Sequence, residues 1–283
     1  MAFPVYDIHM IIGFATYNRK DTSLKFLKTL LVANGMQPSD RIVVFDDGST
    51  DGTVDEMIKF LPDIEILKGD GSFFWSKSMY KIHEYASIHG EDLLMVNDDI
   101  ELFTSSMSIL RKFIGLYPGS ILVGSFIDKD DNISYSGLTL MSKFRLKLQL
   151  TKPDPENVIE IQSFNGNFCF IPHAVTIKIG MFTQFSHSYS DTEYGIRAFR
   201  NAVPMYLLPG PIGRCNFNFI RQDIFYSQLD LRSKINIFNS PKGYPYRDLL
   251  KLYKLSNVKF WLLQFLISYL GNFVKMIFFH IFR

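Results

Sequence analysis

The feature that most constrains the fold is residues 93–99, where four apolar residues run directly into Asn97, Asp98 and Asp99. An uninterrupted apolar run of this kind is typical of a strand buried on both faces, as in a parallel sheet covered by helices. The acids then follow the carboxyl end of the strand, where open α/β sheets bind their ligands. Taken alone, Asp98 and Asp99 favour a plainer explanation, a helix N-cap or a turn, so the rest of the sequence must decide.

Short strands and helices alternate around this stretch. Strands are predicted at 8–15, 41–45, 64–67 and 93–96, with helices at 21–32, 53–61 and 75–88 between them. This order predicts right-handed βαβ units and a mainly parallel sheet with flanking helices.

The pattern continues less regularly after the fourth strand. The predicted elements are a helix at 105–117, a strand at 121–126, a turn at 128–132, a hairpin strand at 133–140, a loop over the sheet edge at 143–157, strand pieces within 158–171, helices at 173–180 and 191–201, and a last strand at 203–208 closed by Pro209 and Gly210.

Two more acidic turns follow predicted strands. Asp46 and Asp47 follow the second strand, and Gly48 lets the backbone turn and approach a ligand closely. Their carboxylates can accept hydrogen bonds from a nucleobase or a ribose, although an ordinary Asp-Gly turn explains the pattern equally well. Asp70 lies in a glycine-rich turn before Trp75 and has the same two explanations, a contact with base or sugar, or a plain turn.

A fourth acidic group opens a predicted helix. Asp191 and Glu193 lie at its start, with Arg197 one turn later. An acid here is stabilised by the helix dipole, so capping is the simple explanation. The functional alternative is a general base beside a second acid that Arg197 holds by a charge-assisted pair.

Several classes of protein are disfavoured. The formal net charge of +2 gives no reason to expect a nucleic-acid partner. No G-x-G-x-x-G follows the first strand, and no G-x-x-x-x-G-K-[ST] occurs, so neither a dinucleotide fold nor a P-loop is expected. The N-terminal residues show neither a basic stretch nor a cleavage site typical of a secretory signal, which predicts a cytoplasmic protein.

Taken together, the motifs resemble those of the family 2 glycosyltransferases, which have the GT-A fold, and in particular a branch that makes bacterial surface polysaccharides. The matching segments, within residues 8–215, are Thr16-Tyr17-Asn18-Arg19, Asp46-Asp47-Gly48-Ser49-Thr50-Asp51, Gly69-Asp70-Gly71 with Trp75, Asn97-Asp98-Asp99, Gly166-Asn167, Asp191-Thr192-Glu193-Tyr194-Gly195-Ile196-Arg197 and Pro209-Gly210-Pro211-Ile212-Gly213-Arg214-Cys215.

The resemblance implies a catalytic GT-A domain over residues 1–215 and an inverting, metal-dependent hexosyl- or deoxyhexosyltransferase. It implies that Asp191 is the base and that Asp99 holds a divalent cation, Mg²⁺ or Mn²⁺. The nucleoside-diphosphate sugar donor is expected to bind at Thr16, Tyr17, Asn18, Arg19, Asp46, Asp47, Asp70, Trp75, Asp98 and Asn167.

The sequence departs from the family pattern at two places. Many relatives have Glu-Asp where this chain has Ser190-Asp191, and Asp where it has Glu193, which leaves two acids as candidates for the base. Many relatives also have a metal-binding His after the last strand, where this chain offers Arg214. Glu193, Arg197 and Arg214 are therefore expected to support the site, with Arg214 as a candidate contact of the diphosphate.

Residues 216–283 have a different character. The segment 260–282 is rich in Phe, Leu and Ile, but Gly271-Asn272 and Lys275 interrupt it. We expect one or two helices that lie in the membrane interface on the inner face of the plasma membrane, near a lipid-linked saccharide acceptor. The alternative is a helical hairpin that packs on the catalytic domain or on a second subunit, as in a homodimer.

Two other functions remain open at this point. A sugar-nucleotide nucleotidyltransferase also uses an α/β sheet with carboxylates and a metal, but it needs a glycine-rich basic loop after the first strand. Ala15-Thr16-Tyr17-Asn18-Arg19 does not supply that loop. A catalytically inactive membrane-associated protein with the same fold is disfavoured by the presence of Asp99 and Asp191.

Overall fold

A ten-stranded sheet is the centre of the computed structural model, in which residues 9–142, 144–216, 225 and 229–281 are described. The strands are β1 (Met10–Thr16), β2 (Arg41–Asp46), β3 (Glu65–Lys68), β4 (Asp92–Val96), β5 (Glu101–Leu102), β6 (Ile121–Ile127), β7 (Ile133–Tyr135), β8 (Gly137–Leu140), β9 (Leu148–Leu150), β10 (Ile159–Glu160), β11 (Ser163–Phe164), β12 (Phe168–Ile171) and β13 (Met205–Arg214). The helices of the described residues are α1 (Lys20–Leu31), α2 (Thr53–Phe60), α3 (Phe74–His89), α4 (Ser106–Leu116), α5 (His173–Ile179), α6 (Ser190–Arg200), α7 (Leu231–Asn239), α8 (Tyr246–Ser256) and α9 (Trp261–Ile281).

The sheet is mixed and mainly parallel, as predicted. Its main path runs β10-β13-β6-β12-β4-β1-β2-β3, with β5 and β7 added beside β13 and β6. The strands β4, β1, β2 and β3 are parallel neighbours, and β13 is parallel to β6. Only β12, which pairs antiparallel with both β4 and β6, reverses direction in the middle of the sheet. A mixed, mainly parallel sheet with flanking helices is the architecture that the resemblance implies.

The strand β4 is buried on both faces, which confirms the prediction for residues 93–96. Leu94 and Val96 belong to one apolar cluster, which includes side chains of α1 and α4. Leu93 and Met95 belong to a second cluster, which includes side chains of α3 and α6. Alternate residues of one apolar run therefore fill two cores, and the polar residues after Val96 emerge at the carboxyl edge.

The predicted end of the last strand is wrong. The strand β13 does not close at Pro209 and Gly210 but continues to Arg214, beside β6. Its register with β6 shifts between Leu207 and Pro211. Pro209, which has no N–H to donate to a sheet ladder, lies within this irregularity, where the regular ladder is interrupted.

The segment after β6 is also more divided than predicted. The single hairpin strand expected at 133–140 is two strands, of which β7 pairs with β6 and β8 belongs to a separate three-stranded sheet, β11-β8-β9. The predicted loop at 143–157 contains β9, which pairs with β8. The start of the first strand at Ile8 and the start of this loop at Lys143 lie outside the described residues.

The C-terminal region forms helices, as expected, but Gly271 and Asn272 do not interrupt the last one. Instead α9 is continuous over 21 residues, and the side-chain amide of Asn272 donates to the backbone carbonyl of Ser268 at 2.9 Å. By length and composition this helix could cross a membrane, and 11% of its most apolar stretch is buried. One side of it packs on α8 and α7 through Phe265 and Met276.

Candidate active site

The acid pair after β4 forms ion pairs with the side chain of Arg19. The Arg19 guanidinium lies 2.9 Å from Asp98 Oδ1 and 3.2 Å from Asp99 Oδ2. Asp98 also accepts a hydrogen bond from the Ser23 hydroxyl at 2.7 Å, and Ser23 in turn contacts the Thr16 hydroxyl at 2.8 Å. The loop after β1 and the start of α1 therefore close over the carboxyl end of β4.

The two acids differ in their surroundings. Asp98 is buried, and burial raises its pKa to about 6, although Arg19 and the Ser23 hydroxyl favour the ionised form. Asp99 is exposed, so its second oxygen remains accessible to a ligand in solution. The Cys215 sulfur lies 4.0 Å from Asp99 Oδ1, and burial raises the pKa of this thiol to about 12.

The acids after β2 bind backbone amides. Asp47 is buried and accepts hydrogen bonds from the amides of Gly71, Phe73 and Phe74 at 2.9 to 3.2 Å, so it fixes the start of α3. Asp46 accepts from the Ser49 amide at 3.1 Å. These contacts agree with the simpler explanation, in which both acids stabilise turns. They also fix the two loops between which a nucleotide is predicted to bind.

The glycine-rich turns approach each other closely. Gly48 has φ of +82°, and a Cβ atom there would lie 3.1 Å from the Gly71 amide nitrogen. Gly48 therefore allows a close approach to the neighbouring turn, and its approach to a ligand stays a prediction. Asp70 is exposed and accepts from the amide and hydroxyl of Ser72 at 3.0 and 2.6 Å, and these hydrogen bonds lower its pKa.

The first-strand motif joins the same loops. The backbone N–H of Asn18 donates to the Ser49 hydroxyl, and the side-chain oxygen of Asn18 accepts from the backbone N–H of Thr50, both at 2.8 Å. The next residue towards the N-terminus, Tyr17, is exposed. The structure therefore gives Asn18 a role in fixing the loops, and the predicted donor contacts of Tyr17 and Asn18 stay predictions.

Trp75 and Gly166 form the centre of the site. The Trp75 indole N–H donates to the Asn97 side-chain oxygen at 2.7 Å. A Cβ atom at Gly166 would lie 2.8 Å from the Trp75 ring, so the β11–β12 turn can approach this ring only with glycine at that position. The Gly166 amide donates to Asp191 Oδ2 at 2.8 Å. Gly166 therefore contacts both the predicted donor-binding ring and the predicted base.

Asp191 is held at the start of α6. Its Oδ2 accepts from Gly166, and its Oδ1 accepts from the Thr192 amide at 2.7 Å. Burial raises its pKa, although both hydrogen bonds favour the carboxylate. A positioned carboxylate with a raised pKa is what a general base at neutral pH requires.

Glu193 has a different environment. It is buried, and its two oxygens lie 3.0 Å from the Nε and Nη2 atoms of Arg197. Arg197 also donates to the carbonyls of Ile179 and Met181. The predicted pairing of Glu193 with Arg197 is confirmed, and the pair joins α6 to the end of α5.

One cavity of about 680 Å³ collects six of the predicted residues. Those that line it are Arg19, Trp75, Asp98, Asp99, Asn167 and Asp191. Asp99 and Asp191 therefore face one continuous space, as transfer between a donor and an acceptor would require.

The remaining predicted residues lie outside that lining. They are Thr16, Tyr17, Asn18, Asp46, Asp47, Asp70, Glu193, Arg197 and Arg214. Arg214 lines a neighbouring cavity of about 440 Å³ that also includes Asp98 and Asp99. Its guanidinium donates to the Asp128 carbonyl at 2.9 Å and pairs with Asp131 at 2.8 Å.

Sequence reasoning missed one wall of the large cavity. This wall consists mainly of leucines from β8 and β9 and of Leu249, Leu252 and Tyr253 from α8. Leu146, Leu148 and Leu150 alternate with polar residues, a pattern of period 2 that favours a strand and that the predicted loop at 143–157 did not take into account. No local signal could have brought α8 to this wall, because its contact with the sheet domain is long-range.

The donors near Asp99 fit a cation that arrives with a diphosphate. Among the described residues, no group of three His, Cys, Asp or Glu side chains could hold a metal. Mg²⁺ is commonly bound through one or two carboxylates together with substrate phosphates, without a cage of protein ligands. The exposed Asp99 carboxylate matches that arrangement, and the metal itself stays a prediction.

Comparisons with known proteins agree with this architecture. The family model described as "Glycosyl transferase family 2" matches residues 12–175. A search of curated proteins gives no match.

Solved structures of TarS from S. aureus are similar in fold. For the full TarS chain the TM-score is 0.61 at 13% identity, over 96% of this chain and 54% of that one, so this chain spans about half of its length. For TarS 1-349 in complex with UDP-GlcNAc the TM-score is 0.60 at 14% identity, over 96% of this chain and 89% of that one.

Proposed function

The chain belongs to glycosyl transferase family 2, and from this premise we propose that it transfers a sugar from a nucleoside-diphosphate sugar to a lipid-linked saccharide acceptor, with inversion at the anomeric carbon, in bacterial surface-polysaccharide synthesis. One observation carries the proposal. Asp191, Trp75 and the acids after β4 line the same cavity at the carboxyl edge of the parallel strands.

The donor side of the proposed reaction lies at Trp75, Arg19 and Asp99. A similar structure, that of TarS 1-349, contains UDP-GlcNAc, which supports a nucleoside-diphosphate sugar as the donor class. A divalent cation bound with the diphosphate at Asp99 would neutralise charge on the departing group. Arg19 lies beside Asp99 and adds a fixed positive charge there.

The acceptor side is assigned to Asp191. Deprotonation of the acceptor hydroxyl needs a carboxylate that is oriented before the reaction. The amides of Gly166 and Thr192 provide that orientation. A single base and an attack from the face opposite the departing diphosphate lead to inversion.

The C-terminal helix supports a location at a membrane surface. Its exposed apolar side chains recur along one side of α9, at Leu263, Ile267, Leu270, Val274 and Phe278. Residues 229–281 carry eight Lys or Arg and two Asp or Glu, a balance that favours anionic lipid head groups. We propose that the enzyme is peripheral on the cytoplasmic face of the plasma membrane.

A thermal-shift panel of nucleoside diphosphates and nucleotide sugars, with and without Mn²⁺, tests the donor class. We expect one nucleotide to raise Tm, and the matching sugar nucleotide to be hydrolysed slowly by the wild type but not by Asp191→Asn. A shift with a nucleoside triphosphate and a sugar phosphate, followed by diphosphate release, would indicate a nucleotidyltransferase instead. Binding without turnover of any sugar nucleotide would favour the inactive homologue.

A further inference from the structure

The lining of the large cavity has an apolar part as well as the polar part that contains Asp98, Asp99 and Asp191. Leu138, Leu148 and Leu150 approach from the small sheet, and Leu249 and Leu252 approach from α8. A saccharide hydroxyl against leucine side chains would lose its hydrogen bonds to water without replacement, which is unfavourable. This wall therefore fits an apolar group better than it fits a sugar.

The apolar wall is connected to the start of α9 through Leu146. Leu146 lines the cavity and also packs in the apolar cluster that includes Phe265 of α9. Its amide donates to the Gln264 side chain at 3.2 Å, and Gln264 donates to the Phe144 carbonyl at 2.5 Å. Phe144 itself is 69% exposed. A ligand chain leaving the cavity past Leu146 would therefore meet the start of α9 and its apolar side.

Basic residues in the cavity lining and on the segments next to it favour an anion. Lys242 lines the cavity together with the leucines. Arg145, Lys147 and Lys259 are exposed on the segments that join the cavity to α9. A phosphate group has the charge and the hydrogen-bond acceptors that such lysines and arginines bind.

From these observations we infer that the leucine wall and Lys242 form a subsite for the carrier of the acceptor, a long apolar chain with a phosphate at its head. The inference deepens the proposed function and rests on it. It assigns the C-terminal residues 242–253 to substrate binding, so this region completes the active site as well as approaching the membrane.

Farnesyl phosphate, used below the concentration at which it forms micelles, is the probe. The chain contains two tryptophans, Trp75 and Trp261. In a Trp261→Phe background, the fluorescence of Trp75 reports on the cavity that this ring lines. We expect saturable binding that changes Trp75 fluorescence, measured with the full chain.

Two matched pairs of variants test the subsite. Leu148→Gln should weaken farnesyl phosphate binding about tenfold, and Leu255→Gln, exposed on α8 and outside the cavity lining, should not. Lys242→Gln should weaken binding of farnesyl phosphate but not of farnesol, whereas Lys254→Gln should leave both unchanged. Thermal unfolding with a nucleoside diphosphate checks that each variant is folded.

The outcomes separate this inference from the proposed function. Equal binding by Leu148→Gln and Leu255→Gln, or no change in Trp75 fluorescence, would overturn the subsite, since the probe would then lie only on α9 or not bind at all. Turnover of a sugar nucleotide would be unaffected by that result. Conversely, binding that depends on Leu148 and Lys242 in a protein that consumes no sugar nucleotide would support the subsite and reject the transferase.

Discussion

The guanidinium of Arg19 forms an ion pair with the buried carboxylate of Asp98 at 2.9 Å. Arg19 comes from the loop after β1, and Asp98 follows β4, so the pair connects two neighbouring parallel strands at their carboxyl ends. The same guanidinium reaches Asp99, the predicted metal ligand. The protein therefore supplies a positive charge of its own to the acids that a metal would otherwise neutralise alone.

Removal of this charge should expose the acid pair to metal ions. We expect Arg19→Gln to bind Mn²⁺ about tenfold more tightly than the wild type when no nucleotide is present, because no cation then competes for Asp99. The free energy of unfolding should fall by about 1–3 kcal/mol, since the buried Asp98 loses the ion pair that favours its ionised form. Mn²⁺ electron paramagnetic resonance and urea unfolding measure the two effects. Lys25→Gln, which breaks the exposed pair with Glu101, is the control, and equal Mn²⁺ affinity in both variants would contradict the competition.

Replacement of the predicted metal ligand has a different expected effect. Asp99→Asn should lower metal-stimulated sugar transfer about a hundredfold or more and leave Tm nearly unchanged, because an exposed amide replaces a carboxylate that a hard cation requires. Titration of activity against Mg²⁺ and Mn²⁺ measures the loss. Asp131→Asn removes an exposed acid paired with Arg214 and serves as the control. Undiminished turnover of Asp99→Asn would remove Asp99 from the site.

The glycine beside Trp75 should be sensitive to a single methyl group. In Gly166→Ala the new Cβ would lie 2.8 Å from the ring, so either the turn or the Trp75 ring, which donates to Asn97, must shift. We expect about tenfold weaker binding of the nucleotide sugar and a loss of about 1–3 kcal/mol of stability from overpacking. Gly271→Ala, where nothing lies within 4 Å of the added atom, should be neutral or stabilising. Similar behaviour of the two variants in calorimetric titration would argue against this role of Gly166.

The strongest sequence predictions are those in which one local pattern determines the structure. The apolar run that ends at Val96 has to be buried on both faces, and the acids that follow it then have to lie at the sheet edge. The ion pair of Glu193 and Arg197 follows from a spacing of four residues on a helix. Both positions follow from local patterns, whereas the role of Asp98 and Asp99 could be predicted only with the rest of the chain.

The failures came where distant segments determine the structure. The sequence around Asp47 does not reveal that its carboxylate binds the amides at the start of α3, more than twenty residues later. Pro209 was interpreted as the end of a strand, because a proline cannot donate to a sheet ladder. The strand continues past it through an irregular register with β6, which the local sequence does not show. The position of Leu252 in the lining of the large cavity depends on the packing of α8, for which residues 246–256 give no local indication.

The apolar side of α9 should control membrane binding without supporting the fold. Leu263 and Ile267 are 56% and 65% exposed, so a double change to Gln should leave Tm unaltered. Binding to vesicles that contain anionic lipid should weaken by about a hundredfold, since each side chain loses its transfer into the apolar phase. Ile177→Gln on α5, where the side chain is 73% exposed, is the control in the same sedimentation assay. If the double variant still sediments with vesicles but changes its oligomeric state, α9 instead forms an interface with a second subunit.

The two acids at the start of α6 should respond differently to neutralisation. Asp191 lines the cavity and binds two backbone amides, whereas Glu193 is outside the lining and paired with Arg197. A base acts on the transition state and contributes little to donor affinity. Asp191→Asn should therefore lower kcat by about 10²–10⁴ and leave the nucleotide Kd within about twofold of the wild type.

Glu193→Gln should show the opposite pattern. Arg197 would keep its bonds to the carbonyls of Ile179 and Met181 but lose a buried anion, at a cost of about 1–3 kcal/mol in stability. The folded fraction of this variant should keep most of its kcat. Turnover under saturating donor, nucleotide Kd and Tm, measured for both variants, decide between the acids. If Glu193→Gln is folded but inactive while Asp191→Asn still turns over, Glu193 is the base and the assignment made from the cavity is reversed.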